Sequence, residues 1–208
     1  MIGTLPVLAL FVVQAQQIAV APAVTRAVPF DTVLAAGAFS RVVLDVASGG
    51  GVHVTGGETQ SVHVRVTFAG KPCDDCTVAL TPISRGIHVR TTRPRARATT
   101  AELEVDVEVP VQSDVALVSA GGSVVLEGID GTVSGRTEFG SLDLQRLSGA
   151  VALETKRGDV TLRQSYVNGR VHTMSGRVLL EDVAGNVEGT SDRGRVIERR
   201  VQHVPSSP

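Results

Sequence analysis

Along most of this chain apolar and polar residues alternate one by one, as in Arg41-Val-Val-Leu-Asp-Val46, Ser61-Val-His-Val-Arg-Val66, Leu142-Asp-Leu144 and Val160-Thr-Leu162. A period of two belongs to a strand with one buried face. Clusters such as Ser48-Gly-Gly-Gly51, Gly56-Gly57, Gly70-Lys-Pro72 and Arg93-Pro94 break the N-terminal runs where turns are expected. Helical spacing is absent, so the pattern predicts an all-β protein.

The second half adds a longer period. Segments of the form Ser/Thr-x-x-Gly-x-Val/Leu-x-Leu begin at Ser119, Thr137, Thr155, Thr173 and Ser191, a spacing of 18 residues repeated four times, and only the last copy departs, ending in Glu198. A second set of glycines, Gly131, Gly149, Gly169 and Gly185, falls near the middle of each unit. Each unit therefore reads as two half-units, each a short strand ending in a turn where glycine tolerates positive φ or close backbone approach. Gly169 stands two residues late relative to its counterparts, which the periodicity alone reads as a compensated bulge. Equal units stacked in register predict a C-terminal β-solenoid (β-helix) over 112–200, about four and a half coils each adding ~4.8 Å.

Residues 28–111 show no such period and read as an N-terminal antiparallel β-meander or sandwich that continues into the first coil and covers its open end. The remaining boundaries are a signal peptide over 1–15, a linker over 16–27 and a flexible tail over 201–208. The signal reading rests on the apolar run Ile2 to Val13, too short for a span, followed by small residues at the −3 and −1 positions before Gln16. It implies an extracytoplasmic chain (periplasm, cell surface or secreted) with no membrane span after cleavage.

Composition narrows the function. The 208 residues include 36 Val and 22 Gly but no Trp, one Tyr and five Phe, so the interior must be built from small aliphatics. Twenty basic against 21 acidic residues leave a net charge of −1, with no excess to steer the chain to polyanions. With 3% aromatics there are few rings on which bases or sugars could stack, which argues against a nucleic-acid partner.

The run "ELEVDVEVPVQSDVALVSAGGSVVLEGIDGTV", followed by repeated T-x-x-G-x-V-x-L, resembles the bacterial β-strand-repeat proteins of the DUF4097-type, adhesin-labelled family. The earlier "FSRVVLDVASGGGVHVTGG" is similar to that family's N-terminal part. The resemblance implies an exported β-helical protein of the bacterial envelope and offers no catalytic residues. The expectation is a non-enzymatic interaction, scaffold or adhesin-like module without cofactor, a monomer or weak oligomer. Its partner would be an envelope protein or a surface polysaccharide. The alternative is a carbohydrate-binding or carbohydrate-active β-helix.

Several constellations invite chemistry. Cys73 and Cys76 sit in a hairpin loop, and in an exported chain a disulfide is the simplest reading, metal binding and redox catalysis the others. Arg93, Arg95 and Arg97 form a candidate anion-binding loop. His53, His63 and His88 each lie between apolar residues, so they face outward, either singly into solvent or, if register aligns them, as a metal cluster. Glu102, Glu104, Asp106 and Glu108 line one side of one strand, where arginines of the preceding segment would neutralise them if the two pair. Arg157-Gly158-Asp159 spells an integrin-binding tripeptide, although Gly158 is the repeat's own turn glycine. Arg193, Arg195, Arg199 and Arg200 crowd the last coil, where edge charges oppose strand addition and head-to-tail polymerisation.

Overall fold

A computed structural model describes residues 24–35, 40–47, 49–70, 76–92 and 103–204. The signal-peptide reading and most of the linker lie outside them. Among the described residues every regular element is a strand: β1 (Val24–Ala27), β2 (Phe30–Ala35), β3 (Ser40–Val46), β4 (Gly50–Gly57), β5 (Ser61–Phe68), β6 (Thr77–Ile83), β7 (Gly86–Thr92), β8 (Leu103–Pro110), β9 (Ser113–Ser119), β10 (Val124–Glu127), β11 (Asp130–Phe139), β12 (Leu142–Gln145), β13 (Ser148–Arg157), β14 (Val160–Thr173), β15 (Val178–Ala184), β16 (Val187–Ser191) and β17 (Val196–Gln202). All 17 join one hydrogen-bonded sheet wrapped around an aliphatic interior. Part of the expected linker, residues 24–27, is therefore strand, and Val201 and Gln202 of the expected tail close β17.

The 18-residue period has a direct geometric meaning. Leu142 pairs with Val160 and Val160 with Val178, while Val133 pairs with Val151 and Val151 with Gly169, all in parallel. Each unit thus contributes one rung to each of two parallel ladders. In the first ladder β9, β11, β13, the C-terminal part of β14 and β16 follow one another; in the second, β10, β12, the N-terminal part of β14, β15 and β17. Inward residues form columns: Val105, Val52, Val124, Leu142, Val160 and Val178 in one, Val107, Val54, Leu126, Leu144, Leu162 and Leu180 beside it, none more than 2% exposed. Burying each such side chain stabilises the fold by about 1.5–3 kcal/mol, and small β-branched residues suit the narrow space between rungs. The aliphatic interior opens at the last rung, where Glu198 follows Leu180, Gly189 follows Val171, and Val196, which follows Val178, is exposed.

Three expectations change. First, no bulge surrounds Gly169: β14 holds the 18-residue register along its length, Val167 stands opposite Gly149, and Gly169, exposed, stands opposite Val151. Second, a unit bends at a corner that carries no glycine pattern, where Arg146, Gln164, Asp182 and Arg200 have φ of 50, 49, 55 and 51°. Third, residues 28–111 are not an antiparallel meander throughout. β3 and β4 pair in parallel with β9 and β10, and β7 and β8 in parallel with β3 and β4, so these segments extend both ladders by two more rungs. Only β1, β2, β5 and β6 are antiparallel, and they close that end. The rung made by β3 and β4 is inserted out of chain order, between one built later from β7 and β8 and one built from β9 and β10. Ser40 and Ser113 seal that junction with a buried hydroxyl pair at 2.9 Å, Ser113 also donating to the Pro110 carbonyl at 2.6 Å.

The Ser/Thr of the first four repeats, Ser119, Thr137, Thr155 and Thr173, is buried and needs a partner there, and Ser191 of the last is half-buried. Thr155 Oγ1 donates to the Gly140 carbonyl at 3.2 Å, Thr173 Oγ1 to Gly158 at 2.9 Å and Ser191 Oγ to Gly176 at 2.8 Å. These three hydroxyls tie a strand end to the glycine turn one rung away, whereas Ser119 and Thr137 donate within their own turns, to the carbonyls of Gly121 at 3.0 Å and Phe139 at 2.9 Å.

Candidate interaction surfaces

Because inward positions are filled by the columns, any site must be built from the outward ones. On the first ladder the residue just before each repeat Ser/Thr forms an outward column, Val118, Arg136, Glu154, His172 and Thr190, beside a second made of Ala116, Ser134, Ala152 and Arg170. The small side chains of the second column leave a floor, and the charged first column rises next to it. The result is a depression of about 430 Å³ lined by Gly135, Ala152, Glu154, Arg170, His172 and Asp192. A neighbouring one of about 310 Å³ shares Glu154 and is bounded by Val118, Arg136, Glu138 and Lys156.

Part of this strip is internally satisfied. Lys156 Nζ donates to Glu138 at 2.6 Å and holds that carboxyl below the usual range. His172 Nδ1 and Thr190 Oγ1 share a hydrogen bond of 2.8 Å, with Asp192 3.8 Å from Nε2. That distance is too long for Asp192 to orient the imidazole as an activated nucleophile's base requires. Arg136, Glu154 and Arg170, by contrast, make no side-chain hydrogen bond or ion pair among the described residues, although they lie on adjacent rungs. Charges of both signs with unused hydrogen-bonding capacity, set beside Ala116, Ser134 and Ala152, are what a polar chain with its own alternating charges would match. The signal for this column was present in the 18-residue period, one position before each motif.

The histidines are dispersed by the register. His53 on β4 is 3.8 Å from Asp106 and 4.0 Å from Glu127; His63 on β5 pairs with Asp31 at 2.5 Å; His88 on β7 lies in the other ladder. No set of three or more potential metal ligands converges among the described residues. Asp31 also accepts from Arg65 Nε at 3.0 Å, and the bonds from His63 and then Arg65 hold its carboxyl below the usual range. The acidic strand β8 does not pair with the arginine-bearing strand before it. Its neighbours are β4 and β5, which set Arg65 opposite Asp106 and His63 opposite Glu108, while Arg90 on β7 pairs with Asp45 at 2.9 Å.

Cys76 is buried and disulfide-bonded, while Cys73, Glu102 and the loop of Arg93, Arg95 and Arg97 lie outside the described residues. In the Arg157-Gly158-Asp159 turn, Asp159 is committed within the stack, accepting from the Arg177 backbone N–H at 2.8 Å and its guanidinium at 3.1 Å. In the last rung Arg199 and Arg200 are ion-paired to Glu181, and Arg200 also to Asp182, whose carboxyl is lowered by that bond.

No family model and no curated protein matches the chain. Three solved structures are similar to it at low identity. A putative cell adhesion protein from Clostridium sporogenes shares 8% identity at a TM-score of 0.43, over 82% of this chain and 99% of that one. A putative adhesin from Bacteroides fragilis shares 7% at 0.31, over 88% and 97%. A putative adhesin from Parabacteroides merdae shares 10% at 0.25, over 85% and 96%. No helix among the described residues is long and apolar enough to cross a membrane.

Proposed function

We propose that this protein is an exported, non-enzymatic module of the bacterial envelope, a β-solenoid that holds a protein partner against the outer face of its first ladder. One observation carries the reading: among the described residues Arg136, Glu154 and Arg170 make no side-chain hydrogen bond or ion pair, and they stand on adjacent rungs beside the small side chains of Ser134 and Ala152. The rungs fix the spacing of the backbone positions that carry these charges, and the exposed side chains themselves become ordered on binding. An extended polar segment fits such a strip better than a sugar does, because no aromatic ring lines either depression. The resemblance of the repeats to an envelope family supports an extracytoplasmic compartment.

The experiment is a crosslinked pull-down from the intact envelope with mass spectrometry of what is attached. Recovery of one envelope protein, lost from the Arg136→Glu/Arg170→Glu variant while its thermal unfolding is unchanged, is the expected result. Recovery of polysaccharide fragments alone would replace this reading with a glycan-binding one.

A further inference from the structure

Each unit turns at two corners, and the two treat charge differently. At the corner of Arg146, Gln164, Asp182 and Arg200, every arginine has an acid on a neighbouring rung: Arg146 with Glu127, Arg163 with Glu181 at 3.9 Å, Arg199 with Glu181 at 3.8 Å and Arg200 with Asp182. At the glycine edge, marked by Gly140, Gly158, Gly176 and Gly194 stacked on one another, this pairing fails toward the C-terminal end. Lys156 and Arg177 have their acids, but Arg157 makes no ion pair among the described residues and lies over the Phe139 ring, 5.2 Å from its guanidinium carbon. Arg193 and Arg195 make no ion pair among the described residues, and Arg195 lies one rung from Arg177, like charge next to like. Phe139, 46% exposed, and Met174, 37% exposed, stand on the same edge. The edge is a ridge rather than a groove, straight over about three rung spacings, or ~14 Å.

From this contrast we propose that the glycine edge of the last rungs, Phe139, Arg157, Met174, Arg193 and Arg195, rests on an anionic lipid bilayer surface. A straight ridge suits a flat partner, unpaired guanidinium groups suit phosphate headgroups, and the two apolar side chains suit the interface beneath them. Each cation near such a surface strengthens attachment about fivefold, an effect confined to within a Debye length and so lost at high salt. The edge is separate from the strip of Arg136, Glu154 and Arg170, so either proposal can fail without the other.

The test is co-sedimentation of the protein, purified from the cell that makes it, with vesicles of phosphatidylcholine alone or mixed with phosphatidylglycerol, at low and high salt. Binding to the mixed vesicles at low salt is expected, weakened about 25-fold in Arg193→Gln/Arg195→Gln. The variant Arg199→Gln/Arg200→Gln, with the same change in net charge at the other corner, should bind as the unaltered protein does. Phe139→Ser should weaken binding further without altering its salt dependence. The proposal is overturned if both arginine pairs matter equally, if mixed and pure vesicles bind alike, or if inorganic phosphate or a soluble acidic polysaccharide displaces the protein from the vesicles.

Discussion

The two corners of each 18-residue unit solve the same problem, reversing the chain between ladders, with opposite sequence rules. At one corner glycine recurs, and an added Cβ at Gly158 would stand 2.0 Å from the Gly140 carbonyl oxygen, while one at Gly176 would stand 2.1 Å from that of Gly158. At the other, Arg146, Gln164, Asp182 and Arg200 occupy the left-handed region with their side chains in solvent. Positive φ is common to both, but Gly140, Gly158 and Gly176, at 110, 148 and 159°, lie outside the small left-handed well that Arg146, Gln164, Asp182 and Arg200 occupy, and only glycine enters that region freely. Close approach of the backbone one rung away adds to this demand, and the crowded corner leaves the stronger mark on the sequence.

This contrast can be broken most severely at the crowded corner. Gly158→Ala should cost about 4 kcal/mol or more, or prevent folding, because backbone rather than a flexible side chain meets the new methyl. Gln164→Ala should stay within about 0.5 kcal/mol, and urea unfolding of the two side by side measures the difference. Next in size, Thr155→Val should cost about 1–3 kcal/mol by leaving the Gly140 carbonyl without its hydroxyl, whereas Thr132→Val, exposed on the same strand system, should cost little. Smaller and opposite in sign, Gln164→Gly should stabilise by about 0.5 kcal/mol, relief of the left-handed strain outweighing the added freedom of the unfolded chain. The smallest effect is electrostatic. Asp182 is lowered by its bond from Arg200, so its contribution is complete above the ordinary carboxylate pKa and disappears as pH falls through the lower folded value. Asp182→Asn should therefore be less stable than the unaltered protein near neutrality, the gap closing in acid, as thermal melts across pH would record.

What could be read from the sequence follows the same line. The five copies beginning at Ser119 announced parallel stacking because each contact there lies 18 residues away and repeats the same side chain: Leu144 on Leu162 on Leu180. The rungs of β3 with β4 and β7 with β8 were not legible as rungs. Ser40 pairs with Ser113 and Gly50 with Leu103, offsets of 73 and 53 residues that no short period contains. Their alternation was visible, their partners were not. Gly169 misled for a related reason: a glycine within a strand looks like a displaced turn until the register shows Val151 beside it. Of the candidate site residues, His53, His63 and His88 were correctly set on outward positions, yet which strands lie side by side decided that they stay apart. Arg136, Glu154 and Arg170 went unnoticed because outward positions vary from copy to copy, and their importance lies in the neighbours they lack.

The inserted rung of β3 and β4 carries a consequence for how the chain acquires its shape. A protein leaving a ribosome or a translocation channel presents residues 40–57 long before residues 86–127, yet both flanks of that rung are covered only by those later segments. Its Val and Leu side chains must therefore wait, with two unsatisfied strand edges, until more than half the polypeptide has emerged. Growth from the first residue onward is excluded, and the regular C-terminal part offers the more local contacts from which assembly can proceed. The chain is thus held back from premature closure by its own strand order.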